Sequence, residues 1–167
     1  MVKILQVVGY KKSGKTTIMN TMIRLLKAKG LSVAVIKHHG DKNGDEIDIP
    51  KSRDHITYME SGADESIVQG YQYIHKLIKQ EDKDALNNLD DIIQHEVTSH
   101  PDVILIEGYK QANYDKIVLF KSTEDEYDLK RLNNINLMVD TSKDQRECTT
   151  MIKTFINKWV DDTRETI

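Results

Sequence analysis

Several features are scarce in this chain. Cys148 is the one cysteine in 167 residues, which excludes an internal disulfide framework and a multi-cysteine zinc site and suits a reducing compartment. Only two prolines occur, Pro50 and Pro101, and no Gly/Ser-rich linker interrupts the sequence. One domain spanning 1–167 is therefore expected, within the ~100–200 residues usual for a domain. Neither charge sign prevails: 24 Lys and Arg stand against 27 Asp and Glu, for a net charge of −3. That balance removes a general electrostatic grip on nucleic acid or anionic lipid. No apolar run approaches the ~18 residues of a membrane span. The first residues, Met1 to Val8, carry too short an apolar run for a signal peptide. Neither nucleic acid nor membrane is expected as a partner, and the expected location is the cytoplasm. No repeat of fixed period is present.

What is there reads as alternating strands and helices. Ile4 to Val8 is an apolar run ending at Gly9, the pattern of a buried strand. Ile18, Met22, Leu25 and Leu26 fall at three- and four-residue spacing, a helix stopped by Gly30. Leu31 to Lys37 reads as a second strand, and His38 to Pro50 as a polar loop. A short helix over Ser52 to Ser61 ends at Gly62. Glu65–Gln69 and Tyr71–Leu77 flank Gly70 as a hairpin or a bent strand, with Tyr71 and Tyr73 expected to be half-buried on a strand face. Leu86 to Val97 reads as a helix. Val103 to Ile106, the most apolar run, reads as a central strand, with further strands at Ile117–Phe120 and Ile135–Val139. Cys148, Met151, Ile152, Phe155, Ile156, Trp159 and Val160 form the apolar stripe of a last helix, on which Cys148 packs rather than reacts. Thr141 to Asp144 just before it reads first as a helix N-cap. The expected fold is α/β, with a largely parallel sheet flanked by helices.

The chemistry concentrates at Gly9-Tyr10-Lys11-Lys12-Ser13-Gly14-Lys15-Thr16, which fits G-x-x-x-x-G-K-[ST] in full. A chance match in such a chain is on the order of 1%. Gly9 and Gly14 permit close backbone approach and conformations that a Cβ would block. Backbone N–H groups from Lys12 to Thr17 can then face an anion at a helix N-terminus. Lys15 is expected on the β- and γ-phosphates of a nucleotide, the Thr16 hydroxyl on Mg²⁺, and Thr17 on the α-phosphate. These residues, with Ser13, form the candidate nucleotide site. Lys3, Lys11, Lys12 and Lys15 are expected to cluster near one sheet end and set a positive potential there.

Glu107 follows the apolar run at Val103, where a strand-end acid would hold Mg²⁺ or its water; it joins Lys15 as a candidate catalytic residue. The loop after the second strand carries Asp41, Asp45, Glu46 and Asp48, of which Asp48 is the candidate third metal contact. His38 and His39 sit at the end of that strand, where they could meet phosphate or water. His55, His75, His95 and His100 are scattered and read as surface or partly buried residues.

Three segments in this order resemble the molybdopterin-guanine dinucleotide biosynthesis protein B (MobB) family, a group of small P-loop GTP-binding proteins. They are Val7 to Thr17; Val33 to His38, followed by Asp48-Ile49-Pro50 and Glu60-Ser61-Gly62-Ala63; and Leu105 to Lys110. Together they span about two thirds of the chain. The resemblance implies a P-loop NTPase-like three-layer sandwich, to which the runs flanking Gly70 add a candidate antiparallel hairpin near 65–77. It implies a homodimeric GTP-binding accessory protein with weak GTPase activity, using GTP and Mg²⁺. The partners it implies are a molybdopterin guanylyltransferase and molybdoenzymes. Carried over by position, Gly9 and Lys12 to Thr17 would hold phosphates, Glu107 would lie near Mg²⁺, and Asp48 would be the loop acid. The chain departs from the family at Lys51-Ser52-Arg53-Asp54 and at Thr57-Tyr58, where relatives usually carry Gly-Lys-Asp-Ser and Arg-His. Lys37, Arg53 and Lys110 are candidate replacements for that arginine. The guanine-reading N-K-x-D is absent, so GTP preference is implied by the resemblance alone. Two other readings fit the motif: a P-loop small-molecule kinase, and a non-hydrolysing adaptor that seats a phosphate-bearing cofactor.

Overall fold

The structure, a computed structural model, describes residues 2–38, 54–79 and 89–162. These divide into two compact units, one from residues 2–38 with 95–162 and one from the described part of 39–94. No helix among the described residues is long and apolar enough to cross a membrane.

The larger unit is built on five strands: β1 (Lys3–Gly9), β2 (Val33–Lys37), β5 (Val103–Glu107), β6 (Asp115–Phe120) and β7 (Ile135–Asp140). They form one sheet in the order β2-β5-β1-β6-β7, and every neighbouring pair is parallel. β1, not the more apolar β5, is the middle strand. Both are interior, and β5 is buried at all five positions, which is why its sequence runs apolar without alternation.

Helices α1 (Lys15–Ala28) and α5 (Gln145–Asp161) pack on one face of the sheet and on each other. Ile18, Met19, Met22 and Leu26 of α1 meet Leu5, Val7, Leu105 and Leu119 of the sheet and Ile152, Ile156 and Trp159 of α5. Each such side chain contributes about 1.5–3 kcal/mol over leaving it exposed. α5 starts where Asp144 accepts hydrogen bonds from Arg146 N (2.8 Å) and Glu147 N (3.4 Å), the N-cap expected of that segment. Cys148 is buried on its stripe, whereas Met151 is exposed. The opposite face of the sheet carries α4 (Thr123–Leu129), whose Leu129 packs with Val8 and Val118. Its sequence, Thr-Glu-Asp-Glu-Tyr-Asp-Leu, has no apolar period. It forms because Ser122 caps it, accepting from Asp125 N at 3.1 Å, and three acids in its first turn suit the helix dipole.

The smaller unit holds α2 (Asp54–Glu60), which packs on β3 (Glu65–Gln69), and β4 (Ile74–Ile78), which pairs antiparallel with β3. Gly62, at φ 107, lets α2 end in a left-handed turn. Gly70 N donates to Tyr73 O at 2.8 Å to close the hairpin. Tyr71 and Tyr73 therefore lie in the turn and are exposed, not half-buried on a strand. Ile67, Val68, Ile74 and Ile78 are exposed as well. The helical segment α3 (Leu89–Asp91) continues as a π turn over Ile92–Glu96.

Candidate functional site

The carboxyl ends of β1 and β5 lie side by side, with Val7 in register with Glu107. From Gly9 the chain passes through the glycine loop straight into α1. The loop and Glu107 enclose a cavity of about 350 Å³ lined by Lys11 through Thr17 and Glu107. Of the candidate residues, Lys12, Ser13, Gly14, Lys15, Thr16, Thr17 and Glu107 thus meet at one cavity, while Gly9 ends β1 ahead of the loop and does not line it. Asp48 and His39 lie outside the described residues.

Gly9 is required by close approach. A Cβ there would stand 2.4 Å from Ser13 Oγ and 2.7 Å from the Leu119 carbonyl oxygen. Gly14 is required by conformation: its φ is 88, and no atom lies within 4 Å of where a Cβ would be. Lys12 is also left-handed, at φ 64. Alternation of such residues turns successive N–H groups the same way, the geometry of an anion nest. Gly14 is the N-cap of α1 and offers no side-chain cap, so the first N–H groups of that helix are left to the cavity. Ser13 is 2% exposed and its Oγ has no hydrogen-bond partner. A buried donor of this kind needs a partner that the protein itself does not supply. The loop is tied to the sheet by Thr141, whose hydroxyl lies 2.9 Å from Ser13 O and 3.2 Å from Phe120 O.

Charge is concentrated at this end of the sheet. Lys15 Nζ donates to Tyr10 O at 2.7 Å and Gly9 O at 3.2 Å. Lys37 Nζ lies 3.8 Å from Glu107 Oε1. Burial lowers the pKa of the Lys15 ammonium below that of a free lysine. Glu107 opposes that shift, and Lys110 and Lys37 add to it as like charges. Lys15 thus feels both Lys37 and Lys110 as like charges, with the carboxylate of Glu107 beside Lys37, a field that favours an anion. Thr16 and Glu107 supply oxygen donors to the same cavity, which suits a hard cation that keeps phosphate and water among its ligands. Among the described residues, no three His, Cys, Asp or Glu gather as a protein-only metal site. Lys3 is not part of this cluster. It starts β1, six residues and about 20 Å from Gly9, where its ammonium bonds Trp159 O and lies 4.1 Å above the Trp159 ring.

Beyond Glu107 the backbone makes a tight left-handed turn at Gly108 (φ 95) and Tyr109 (φ 50). His38 N donates to Glu107 O at 2.9 Å, and the His38 ring lies 4.5 Å from that of Tyr109. A Cβ on Gly108 would come within 3.1 Å of His38 Cβ. Two residues that sequence reasoning passed over hold this region. Gln6 and Lys116 are both fully buried, and both bond carbonyls of the 108–114 connection. The signal was a polar residue inside each of two otherwise apolar interior strands.

Residues 4–141 match a family sequence model described as Molybdopterin guanine dinucleotide synthesis protein B. A probable molybdopterin-guanine dinucleotide biosynthesis adapter protein of Bacillus subtilis is 33% identical over 135 residues, 81% of this chain and 73% of the relative. The molybdopterin-guanine dinucleotide biosynthesis adapter protein of Escherichia coli is 32% identical over 122 residues, 72% of this chain and 67% of the relative. Among solved structures, the crystal structure of a MobB homologue from Bacillus stearothermophilus superposes with a TM-score of 0.63 at 25% identity, covering 92% of this chain and 98% of that one. The crystal structure of Bacillus subtilis MobB gives 0.65 at 24% identity, covering 92% and 97%.

Proposed function

The chain belongs to the molybdopterin guanine dinucleotide synthesis protein B family, and from that membership we propose that it binds GTP with Mg²⁺ at the Gly9–Thr16 loop. It does so as an adapter in making the guanine dinucleotide form of the molybdenum cofactor, the role named for its relatives. The observation that carries the nucleotide reading is the cavity at the uncapped start of α1, lined by Lys11–Thr17 and Glu107. Backbone N–H groups of this loop bind phosphate oxygens, Lys15 holds the β- and γ-phosphates, and Thr17 reaches the α-phosphate. Thr16 and Glu107 would hold Mg²⁺, which when bound neutralises charge on the phosphate oxygens. Hydrolysis is slow, because no arginine lies between Gly9 and Thr17.

The adapter works in the cytoplasm, with a molybdopterin guanylyltransferase and molybdoenzymes as partners and a second copy of itself. The exposed Ile67, Val68, Tyr71, Tyr73, Ile74 and Ile78 of the hairpin unit support the dimer. A two-stranded sheet with an apolar surface invites further strand pairing.

Calorimetric titration with non-hydrolysable GTP and ATP analogues, with Mg²⁺ and with chelator, tests the reading. Mg²⁺-dependent binding that prefers the guanine analogue and vanishes in Lys15→Ala is the expected result. Equal binding of both analogues would overturn the guanine assignment, and binding of neither would overturn the nucleotide site.

A further inference from the structure

The connection from β5 to β6 is unusually economical. Parallel strands ordinarily need a crossover of about a dozen residues or more, usually a helix. Here residues 108–114 suffice. The register explains it: Glu107 ends β5 beside Val7, and Asp115 opens β6 beside Leu5. The return therefore crosses two strand spacings, about 10 Å, and moves back only two residues along β1, about 7 Å.

The crossover lies over β1 and is clamped at both ends. Gln6 Nε2 bonds Gly108 O at 2.5 Å and also Tyr109 O. Lys116, beside Gln6 in register, bonds Tyr114 O at 3.0 Å and also Ala112 O. Between the two clamps is Lys110, whose ammonium sits 3.8 Å over the ring of Tyr10, the second residue of the glycine loop. Lys15 bonds the carbonyl of that same Tyr10. Tyr10 thus touches two lysines, one from the loop side and one from the crossover.

We propose that Lys110 is a second phosphate-binding cation of this site, serving the terminal phosphate of a nucleoside triphosphate, and that Gln6 and Lys116 are the positioning residues that present it. The proposal rests on the nucleotide reading above. A side chain stacked on an exposed ring can swing to an anion on the loop at little cost, since a cation–π contact at such a site is weak. Burial lowers the pKa of the Lys110 ammonium and Asp125 opposes that shift; a seated phosphate adds a second counter-charge on the side of Lys15, which feels Lys110 as a like charge.

The test is calorimetry of the full chain with Mg²⁺ and GTPγS, and separately with GDP, for wild type, Lys110→Ala, Lys110→Arg and Lys116→Met. Lys110→Ala is expected to weaken GTPγS roughly tenfold and GDP by no more than about twofold, with Lys110→Arg restoring most of the triphosphate preference. Lys116→Met, which keeps the volume and removes the clamp, should lower the same preference. A uniform loss in both ligands would instead mark a merely structural role for Lys116. Wild-type triphosphate preference retained in Lys110→Ala overturns the proposal while leaving the nucleotide site intact. A folded wild type that binds neither ligand overturns the nucleotide reading, and this proposal with it.

Discussion

The two glycines of the loop should fail for different reasons when substituted. In Gly9→Ala the new methyl would lie 2.4 Å from Ser13 Oγ and 2.7 Å from Leu119 O, well inside the ~3.5–4.0 Å of an optimal nonbonded contact. The serine hydroxyl can rotate away. The Leu119 carbonyl cannot, because Leu119 is held between Gly9 and Val139 in the sheet register. Either β1 and β6 spread or the loop shifts, at about 1–3 kcal/mol for such overpacking. For a domain of this length that is a fall in Tm of roughly 2–12 °C. Gly14→Ala meets no atom but must hold φ 88, a strain of about 1–2 kcal/mol. Asparagine tolerates that conformation, so Gly14→Asn should be milder than Gly14→Ala, whereas Gly9→Asn should be at least as harmful as Gly9→Ala. Thermal melts followed by circular dichroism read the stabilities, and GTPγS titration reads the loop. Adding Ser13→Ala to Gly9→Ala should not rescue either measurement, since the carbonyl clash remains. Full rescue, or a Gly9→Ala protein that melts with the wild type, would refute the close-approach argument.

Thr141→Val removes the hydroxyl that ties the loop to β7 and should cost about 0.5–1.5 kcal/mol in urea denaturation. A larger relative loss of nucleotide affinity than of stability would mark the tie as a positioning contact. Asp144→Ala strips the cap from α5 and should destabilise by about 1 kcal/mol, while Asp144→Asn should recover most of it; an Asp144→Ala protein as stable as wild type would remove the cap from the account. Asp102 accepts from both Ser32 N and Ser32 Oγ at 2.7 Å, and those bonds hold its carboxyl below the ordinary carboxylate range. The unfolded chain therefore takes up this proton first, so the contribution is present above about pH 4 and is lost as pH falls through the folded value. Acid titration of stability should show a shallower fall in Asp102→Asn than in wild type, and identical slopes would refute the assignment.

Much of the architecture was legible because its cause is local. Apolar runs ending in glycine or an acid become β1 and β5, and the glycine spacing places the loop between β1 and α1. α4 was illegible because it buries only Leu129, so there is no apolar period to read and the cap at Ser122 is its main local cause. Tyr71 and Tyr73 alternate as strand residues do, yet the hairpin closes between Gly70 and Tyr73 and leaves both in the turn. Lys3 was grouped with the loop lysines by proximity in sequence, although an extended strand carries it to the far end of the sheet. Glu107 was readable as a strand-end acid, but its neighbour Lys37 meets it only through the register of β2 with β5, and Lys110 reaches Tyr10 only through the crossover.

The position of the site follows from the order in which the sheet is filled. From β1 the chain goes through α1 on one face to β2, leaving a gap that β5 later enters. From β5 it returns over the opposite face, across Gln6, to β6 and then β7. The connections leaving β1 and β5 thus depart to opposite faces, which opens a crevice at the carboxyl ends of two adjacent strands, the place where open parallel sheets bind ligands. The glycine loop fills one side of that crevice and Glu107 the other. A helical β5–β6 crossover would bury the same sheet face with apolar side chains. The short one leaves carbonyls there that must be bonded, and Gln6 and Lys116 are the buried donors that bond them. The polar residues inside the apolar strands are therefore a consequence of the short crossover, and that crossover carries Lys110 to the ring of Tyr10, the second residue of the glycine loop.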